Sequence, residues 1–163
     1  MKNLLLVLVL LSRCPAGHAA PDYEAASCLM GHVRTLGTSP TPFIVIETDS
    51  ARVELTGDSV PRIRQLVGAL VTVCGRDQAA GRLVVESFEL KEVDGMQAYL
   101  GTVRQTGQLV TLDRSIGGQN MVLSDAPDRL RALLGREVWV AGVWIGATFS
   151  VRSFGLMNLR SDA

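Results

Sequence analysis

Cysteine and histidine side chains offer the widest chemistry in proteins, and few of them follow the N-terminal leader of this chain. Beyond residue 20 the sequence contains Cys28, Cys74 and one histidine, His32. Two isolated cysteines without a histidine cluster do not make a zinc site. We therefore expect no metal and no cofactor, and the two thiols either form a disulfide or stay free and buried.

Catalysis would need more than His32 supplies. A catalytic histidine requires an orienting carboxylate and a nucleophile within reach, and no motif around His32 provides them. The sequence also lacks the G-x-S-x-G, P-loop, dinucleotide-binding and H-E-x-x-H patterns. We interpret His32 as a strand residue that faces outward, opposite Val33. The sequence thus predicts a non-enzymatic protein without catalytic residues, and an enzyme of unrecognised type stays an alternative.

The candidate binding residues are apolar. Trp144 and Ile145 occupy a predicted turn between two strands, whereas the matching segment 76–80 is polar. Because tryptophan is enriched where partners bind, this turn is a candidate docking tip; alternatively, it packs against the rest of the chain. Phe43 lies on the second predicted strand, where a small-ligand or oligosaccharide site would be expected.

The first 19 residues predict a secretory signal peptide. Lys2 precedes the apolar run Leu4–Leu11, and small residues surround the expected cleavage after Ala19. Such a run is too short to span a bilayer. Cys14 resembles the lipidated cysteine of a lipoprotein, but Arg13 stands where that signal needs a small residue. We expect export to the periplasm or the exterior, without a lipid anchor and without a transmembrane helix.

An internal repeat organises the residues that follow. Four blocks recur in the same order at offsets of 66 to 70 residues. The blocks of the first copy and their matches in the second are 31–37 with 101–107, 62–68 with 129–135, 71–75 with 138–142, and 85–90 with 151–156. We predict two modules, 28–91 and 95–157, joined by the short linker Lys91–Gln97.

Each copy predicts three strands, a short helix and two further strands. The helix follows from apolar residues at i, i+3 and i+4, which are Ile63, Leu66 and Val67 in the first copy. In the fifth strand the apolar alternation shifts near Ser87, and it does the same near Ser153 in the second copy. A shared shift predicts a β-bulge in both copies, which would help a small sheet to curl and close.

This order of elements is that of the five-stranded OB-fold barrel. The predicted fold class is therefore all-β with short helices, built as two tandem OB-like barrels; one continuous ten-stranded barrel or sandwich is the alternative. The repeated blocks also resemble small exported bacterial OB-like domains with the pattern G-x-V, L-(S/T)-(G/D)-D, L-x-G-x-x-V-x-V-x-G and L-x-V-x-S. That resemblance implies an envelope or secreted location and no reaction.

The barrel order also predicts a cysteine pair. In an OB barrel the first strand pairs antiparallel with the fourth, so the start of one lies opposite the end of the other. Cys28 and Cys74 occupy those places, and both are out of phase with the neighbouring valines. Their counterparts are Ala98 and Ala141, so both positions differ together between the copies. Because exported proteins meet oxidising conditions, we predict a Cys28–Cys74 disulfide.

Charge narrows the possible partners. The chain has 16 Lys and Arg against 16 Asp and Glu, and two of the basic residues lie in the leader. A near-neutral chain lacks the basic surface that attracts nucleic acid or anionic lipid. We predict a non-enzymatic exported binding module of the bacterial cell envelope that recognises a protein or another envelope component. A small-ligand or oligosaccharide-binding protein is the first alternative, and a nucleic-acid-binding protein stands beside the enzyme as the second.

Overall fold

Strands with alternating apolar residues account for most of the structure. The computed structural model describes residues 26–38, 42–78 and 80–157. The first copy contains β1 (Ala26–Leu36), β2 (Phe43–Glu47), β3 (Arg52–Thr56), α1 (Val60–Arg64), β4 (Leu70–Gln78) and β5 (Arg82–Val93). The second contains β6 (Met96–Thr106), β7 (Leu109–Arg114), β8 (Asn120–Ser124), α2 (Asp128–Arg131), β9 (Glu137–Ile145) and β10 (Thr148–Leu156). The predicted signal peptide and Cys14 lie outside the described residues.

The strand pairings close one ring in each copy. In the first copy β1 pairs antiparallel with β2 and β4, β2 with β3, and β4 with β5, and the parallel pair β3–β5 completes the ring. In the second copy β6 pairs with β7 and β9, β7 with β8, and β9 with β10, and the parallel pair β8–β10 completes it. Within the described part of the chain, the all-β class with short helices and two five-stranded rings is confirmed.

Each ring encloses its own apolar core. Alternation directs every second side chain inward, and the fully buried residues include Val33, Val71 and Leu83 in the first ring. Leu112 and Phe149 hold the corresponding place in the second ring. Each core therefore depends on residues from strands that are distant in sequence but adjacent around the ring.

One residue that was predicted to lie on the apolar face of the first helix, Val67, does not lie there. Ile63 and Leu66 are buried as predicted, but Val67 is 51% exposed. The reason is that α1 ends at Arg64, so Val67 falls in the following turn and not on a continued helix face. Leu134, the counterpart of Val67, is 44% exposed for the same reason.

Both predicted β-bulges are confirmed. Along β4 and β5, Cys74 lies opposite Ser87 but Gly75 lies opposite Val85, so Glu86 is the extra residue. The register of β9 and β10 shifts in the same way between Val151 and Ser153. The strands approach so closely there that a Cβ atom at Gly75 would lie 2.0 Å from the carbonyl oxygen of Val84.

The segment Lys91–Gln97 was predicted to be a linker, and that prediction is wrong. β5 continues to Val93 and β6 begins at Met96, and these two residues pair across a two-residue hairpin turn. Asp94 and Gly95 form the turn with φ values of 52° and 74°. Asp-Gly is a favoured sequence for such a turn because both positions need a positive φ. The hairpin joins the two rings into one ten-stranded sheet.

The two rings pack against each other. Three buried residues of the second copy belong to the core of the first: Ala98, Ala141 and Met157. Leu100 and Trp139 pack against the same core from the second copy. The outer face of β6 and β9 is therefore an internal surface of the molecule.

Candidate functional site

The predicted disulfide is confirmed. Cys28 and Cys74 are register partners on β1 and β4, their Cα atoms are 4.1 Å apart, and their sulfurs are bonded. Both lie on the outer face of the ring, because the alternating Val73 points into the core. Cys28 is exposed and Cys74 is half-buried. The bond is thus a staple on the surface between the first and fourth strands.

Packing between the rings explains why the second copy has alanines at these positions. Ala98 and Ala141 are register partners on β6 and β9, as the cysteines are on β1 and β4. Ala98 is 1% exposed and Ala141 is fully buried, because the first ring covers this face. A larger side chain has no room there, whereas the equivalent face of the first ring is open.

The predicted docking residues Trp144 and Ile145 lie at the end of β9 and not in the turn, which Gly146 and Ala147 form. The β6–β9 pairing ends with Gln97 opposite Gly142, and β9 continues past it to Ile145. The last three residues of β9 pair with β10 alone among the described strands. Val143 and Trp144 are each 44% exposed, and Ile145 is 56% exposed. We call Val143, Trp144 and Ile145 the hairpin tip.

Trp144 is anchored along one edge and open along the other. Its ring meets that of the buried Phe149 edge to face, with centroids 5.4 Å apart. Its Nε1–H donates to the hydroxyl of Tyr99 at 3.2 Å. Edge-to-face aromatic pairs favour a fixed ring orientation, so the exposed part of Trp144 is presented in one position.

Arg114 extends this contact into a row of three side chains. Its guanidinium carbon lies 4.6 Å from the centroid of the Tyr99 ring, a distance at which the cation and the ring attract each other. Trp144, Tyr99 and Arg114 come from β9, β6 and β7. Tyr99 and Arg114 were not among the candidate residues predicted from the sequence. Tyr99 matches Leu29 of the first copy, and that difference was a usable signal; for Arg114 we find none, since its place depends on strand register.

A cleft of about 230 Å³ lies where the two rings meet. Its walls include Phe88 from β5, Tyr99 and Leu100 from β6, and the guanidinium-bearing Arg62 and Arg114. Residues from both copies are needed to form it. No pattern in the sequence indicated this cleft.

Arg62 also links the two rings. Its Nη2 donates to Oε1 of Glu137 on β9 at 2.5 Å, and Ser115 Oγ donates to the same oxygen at 3.3 Å. The Arg62 guanidinium lies 5.4 Å from the centroid of the Phe88 ring. These contacts hold Arg62 at one wall of the cleft.

The remaining candidate residues lie elsewhere. Phe43 is 41% exposed at the start of β2 in the first ring, whereas the hairpin tip belongs to the second. His32 faces outward as predicted, and its Nδ1 lies 3.2 Å from the carbonyl oxygen of Gly68. Glu47 accepts hydrogen bonds from Arg52 and Arg34, and these guanidinium groups lower the pKa of its carboxyl group. The side chains of Glu47, Arg52 and Arg34 lie on the surface, and they line no cavity that we identify in the described residues.

The described residues contain no group of three or more histidine, cysteine, aspartate or glutamate side chains placed to hold a metal ion. None of the helices in the same ranges has the length and apolar character needed to cross a membrane. Comparison with protein-family models and with curated proteins finds no match to this chain.

Proposed function

We propose that this chain is a non-enzymatic, exported module of the bacterial cell envelope that binds a protein partner through its hairpin tip. One observation carries the proposal: three consecutive apolar side chains, Val143 to Ile145, stand exposed at the end of β9, beyond its pairing with β6. The matching hairpin of the first copy carries the polar residues 76–78 instead. The tip is thus a feature of the second copy alone and is not required by the fold.

The neighbours of the tip favour a protein as the occupant. Tryptophan, tyrosine and arginine are the residue types that most often dominate binding energy at protein interfaces. Here Trp144, Tyr99 and Arg114 form one contact row beside the exposed aliphatic residues. Because Trp144 is held against Phe149, little side-chain entropy would be lost when a partner covers it. A near-neutral chain argues against a nucleic acid in this role.

Export is supported by two independent features. The N-terminal sequence has the charged, apolar and small-residue regions of a signal peptide. The surface disulfide Cys28–Cys74 is of the kind that persists in oxidising compartments. Both features fit a protein that works outside the cytoplasm, where an exposed apolar tip would meet other envelope proteins.

The proposal is tested by photo-crosslinking in intact cells that express the full chain. A photoreactive amino acid in place of Ala147 puts the probe in the exposed turn beside the tip. We expect a discrete crosslinked protein, identified by mass spectrometry, whose yield falls about tenfold when Ile145→Ser removes an apolar contact. Ile145 is the preferred test residue because it is 56% exposed, so its loss costs the fold little.

Leu109→Ser is the matched control. Leu109 is 55% exposed in the same ring, but it pairs with Thr106 at the opposite end of β6 from Tyr99. The control variant should retain the crosslink. A crosslink that survives Ile145→Ser, or that falls equally in both variants, would remove the hairpin tip as the docking surface.

A further inference from the structure

The cleft between the rings contains two arginines, each held against an aromatic ring of its own copy. Arg62 lies over Phe88 from the first copy, and Arg114 lies over Tyr99 from the second. Stacking on an aromatic face restricts the guanidinium plane and leaves its edge of N–H donors open. That edge is the group that recognises carboxylates and phosphates through paired hydrogen bonds.

The donors of these arginines are not all satisfied. Nε of Arg62 is buried and has no hydrogen-bond partner, although the Nη2 atom of the same group binds Glu137. The Nε atom is buried, so a ligand in the cleft does not reach it, and Arg114 is the cleft arginine that is left for an acceptor. Among the described residues, none of the ion pairs that we find involves Arg114.

The acidic residues that also line the cleft are engaged by other cations. Glu86 pairs with Arg76 at 2.8 Å and Glu89 pairs with Lys91 at 2.7 Å. Glu137 balances Arg62. Within the part of the chain that the structure describes, the charge of Arg114 is therefore not balanced by an ion pair. A single unbalanced positive charge favours an anion with one negative charge.

The size and lining residues of the cleft indicate the size and polarity of the rest of the ligand. A volume of about 230 Å³ equals roughly eight water molecules at about 30 Å³ each. Phe88, Leu100 and Ile116 supply apolar walls beside the arginines. We infer that the cleft between the rings binds a small monocarboxylate with an apolar body, and that Arg114 holds its carboxylate. This site adjoins the proposed docking surface, because Tyr99 and Arg114 border both.

The test is a titration of the purified full chain with simple acids, followed by ¹H–¹⁵N NMR and calorimetry. The probes are benzoate, phenylacetate and hexanoate; benzamide is the neutral analogue, acetate lacks the apolar body, and inorganic phosphate carries more charge. We expect saturable shifts of the Phe88, Leu100 and Ser115 amides with at least one of the three apolar acids. Benzamide, acetate and phosphate should bind at least about tenfold more weakly. Benzamide has no charge, acetate has no apolar body, and phosphate carries more negative charge than Arg114 balances.

Arg114→Gln tests the assigned residue. It should weaken binding of the acid about tenfold or more, since it removes a charged hydrogen-bond donor. Arg104→Gln on the exposed side of β6 makes the same charge change and should leave binding unaltered. Two results would overturn the inference: no saturable shift with any of the three acids up to their solubility limits, or equal affinity in Arg114→Gln and the parent chain. Tighter binding of phosphate than of every acid would overturn the monocarboxylate class.

Discussion

Removal of the disulfide measures how the two rings share their stability. The perturbation is Cys28→Ala together with Cys74→Ala, which gives the first copy the alanine pair that the second copy has at Ala98 and Ala141. Cys28 is exposed and Cys74 half-buried, so little apolar contact is lost. The main effect is on the unfolded chain, which is no longer closed into a loop of 46 residues.

The magnitude follows from that loop. The chain-entropy relation for a separation of 46 residues gives about 4 kcal/mol at room temperature. The entropy of unfolding is about 2.1 cal/mol/K per residue. If the roughly 130 residues of both rings unfold together, the melting temperature should fall by about 15 °C. If the first ring unfolded alone, half as many residues would unfold and the entropy of unfolding would be halved. The same loss of free energy would then lower its melting temperature by roughly 30 °C.

The structure favours the smaller shift in one cooperative transition. Ala98, Ala141 and Met157 complete the core of the first ring, and the Arg62–Glu137 pair joins the same two units. Differential scanning calorimetry of the oxidised chain, the reduced chain and the double variant provides the measurement. Reductant should lower the melting temperature of the parent chain and leave the variant unchanged.

Two outcomes would refute this reasoning. A shift below about 3 °C would mean that the loop-closure account does not apply to this disulfide. Two separate transitions, of which the variant moves only one, would mean that the rings unfold independently in spite of their shared core.

Two smaller predictions concern the strand contacts. Gly142→Ala should destabilise the fold by about 2 kcal/mol, because the new Cβ would lie 2.0 Å from the Ser150 carbonyl oxygen and must push the strands apart; an unchanged urea midpoint would contradict it. Glu47→Gln should lower the urea midpoint at neutral pH, because Arg52 and Arg34 hold the pKa of Glu47 below its unfolded value. A group with a depressed pKa stabilises the fold above its unfolded pKa and loses that effect as pH falls through the folded pKa. The midpoints of parent and variant should therefore converge in acid, and a difference that is independent of pH would speak against the ion-pair explanation.

Local pattern was sufficient for most of the architecture. Apolar alternation located the strands, and the four repeated blocks showed that both copies form the same order of elements. The bulges near Ser87 and Ser153 were readable because a bulge changes the phase of that alternation. The disulfide followed from barrel order and strand phase together.

Local pattern failed where a short element ended or a turn was overlooked. Val67 was assigned to a helix face, but α1 is too short to reach it. The Asp94-Gly95 pair carried a hairpin signal that was not used, and the segment was interpreted as a linker. Both errors concern where an element stops, which depends on contacts as well as on periodicity.

The sequence by itself thus determined the strand order, the repeat and the cysteine pairing, because periodicity and covalent chemistry act between residues whose relation is visible along the chain. Only the tertiary structure decided that the outer face of β6 and β9 is covered while that of β1 and β4 is open. It likewise decided that Arg62 and Arg114, distant in sequence and in different copies, line one cleft. The physical reason is that packing one ring on the other depends on the shapes of two finished surfaces, and no periodic pattern within either copy encodes their relative placement.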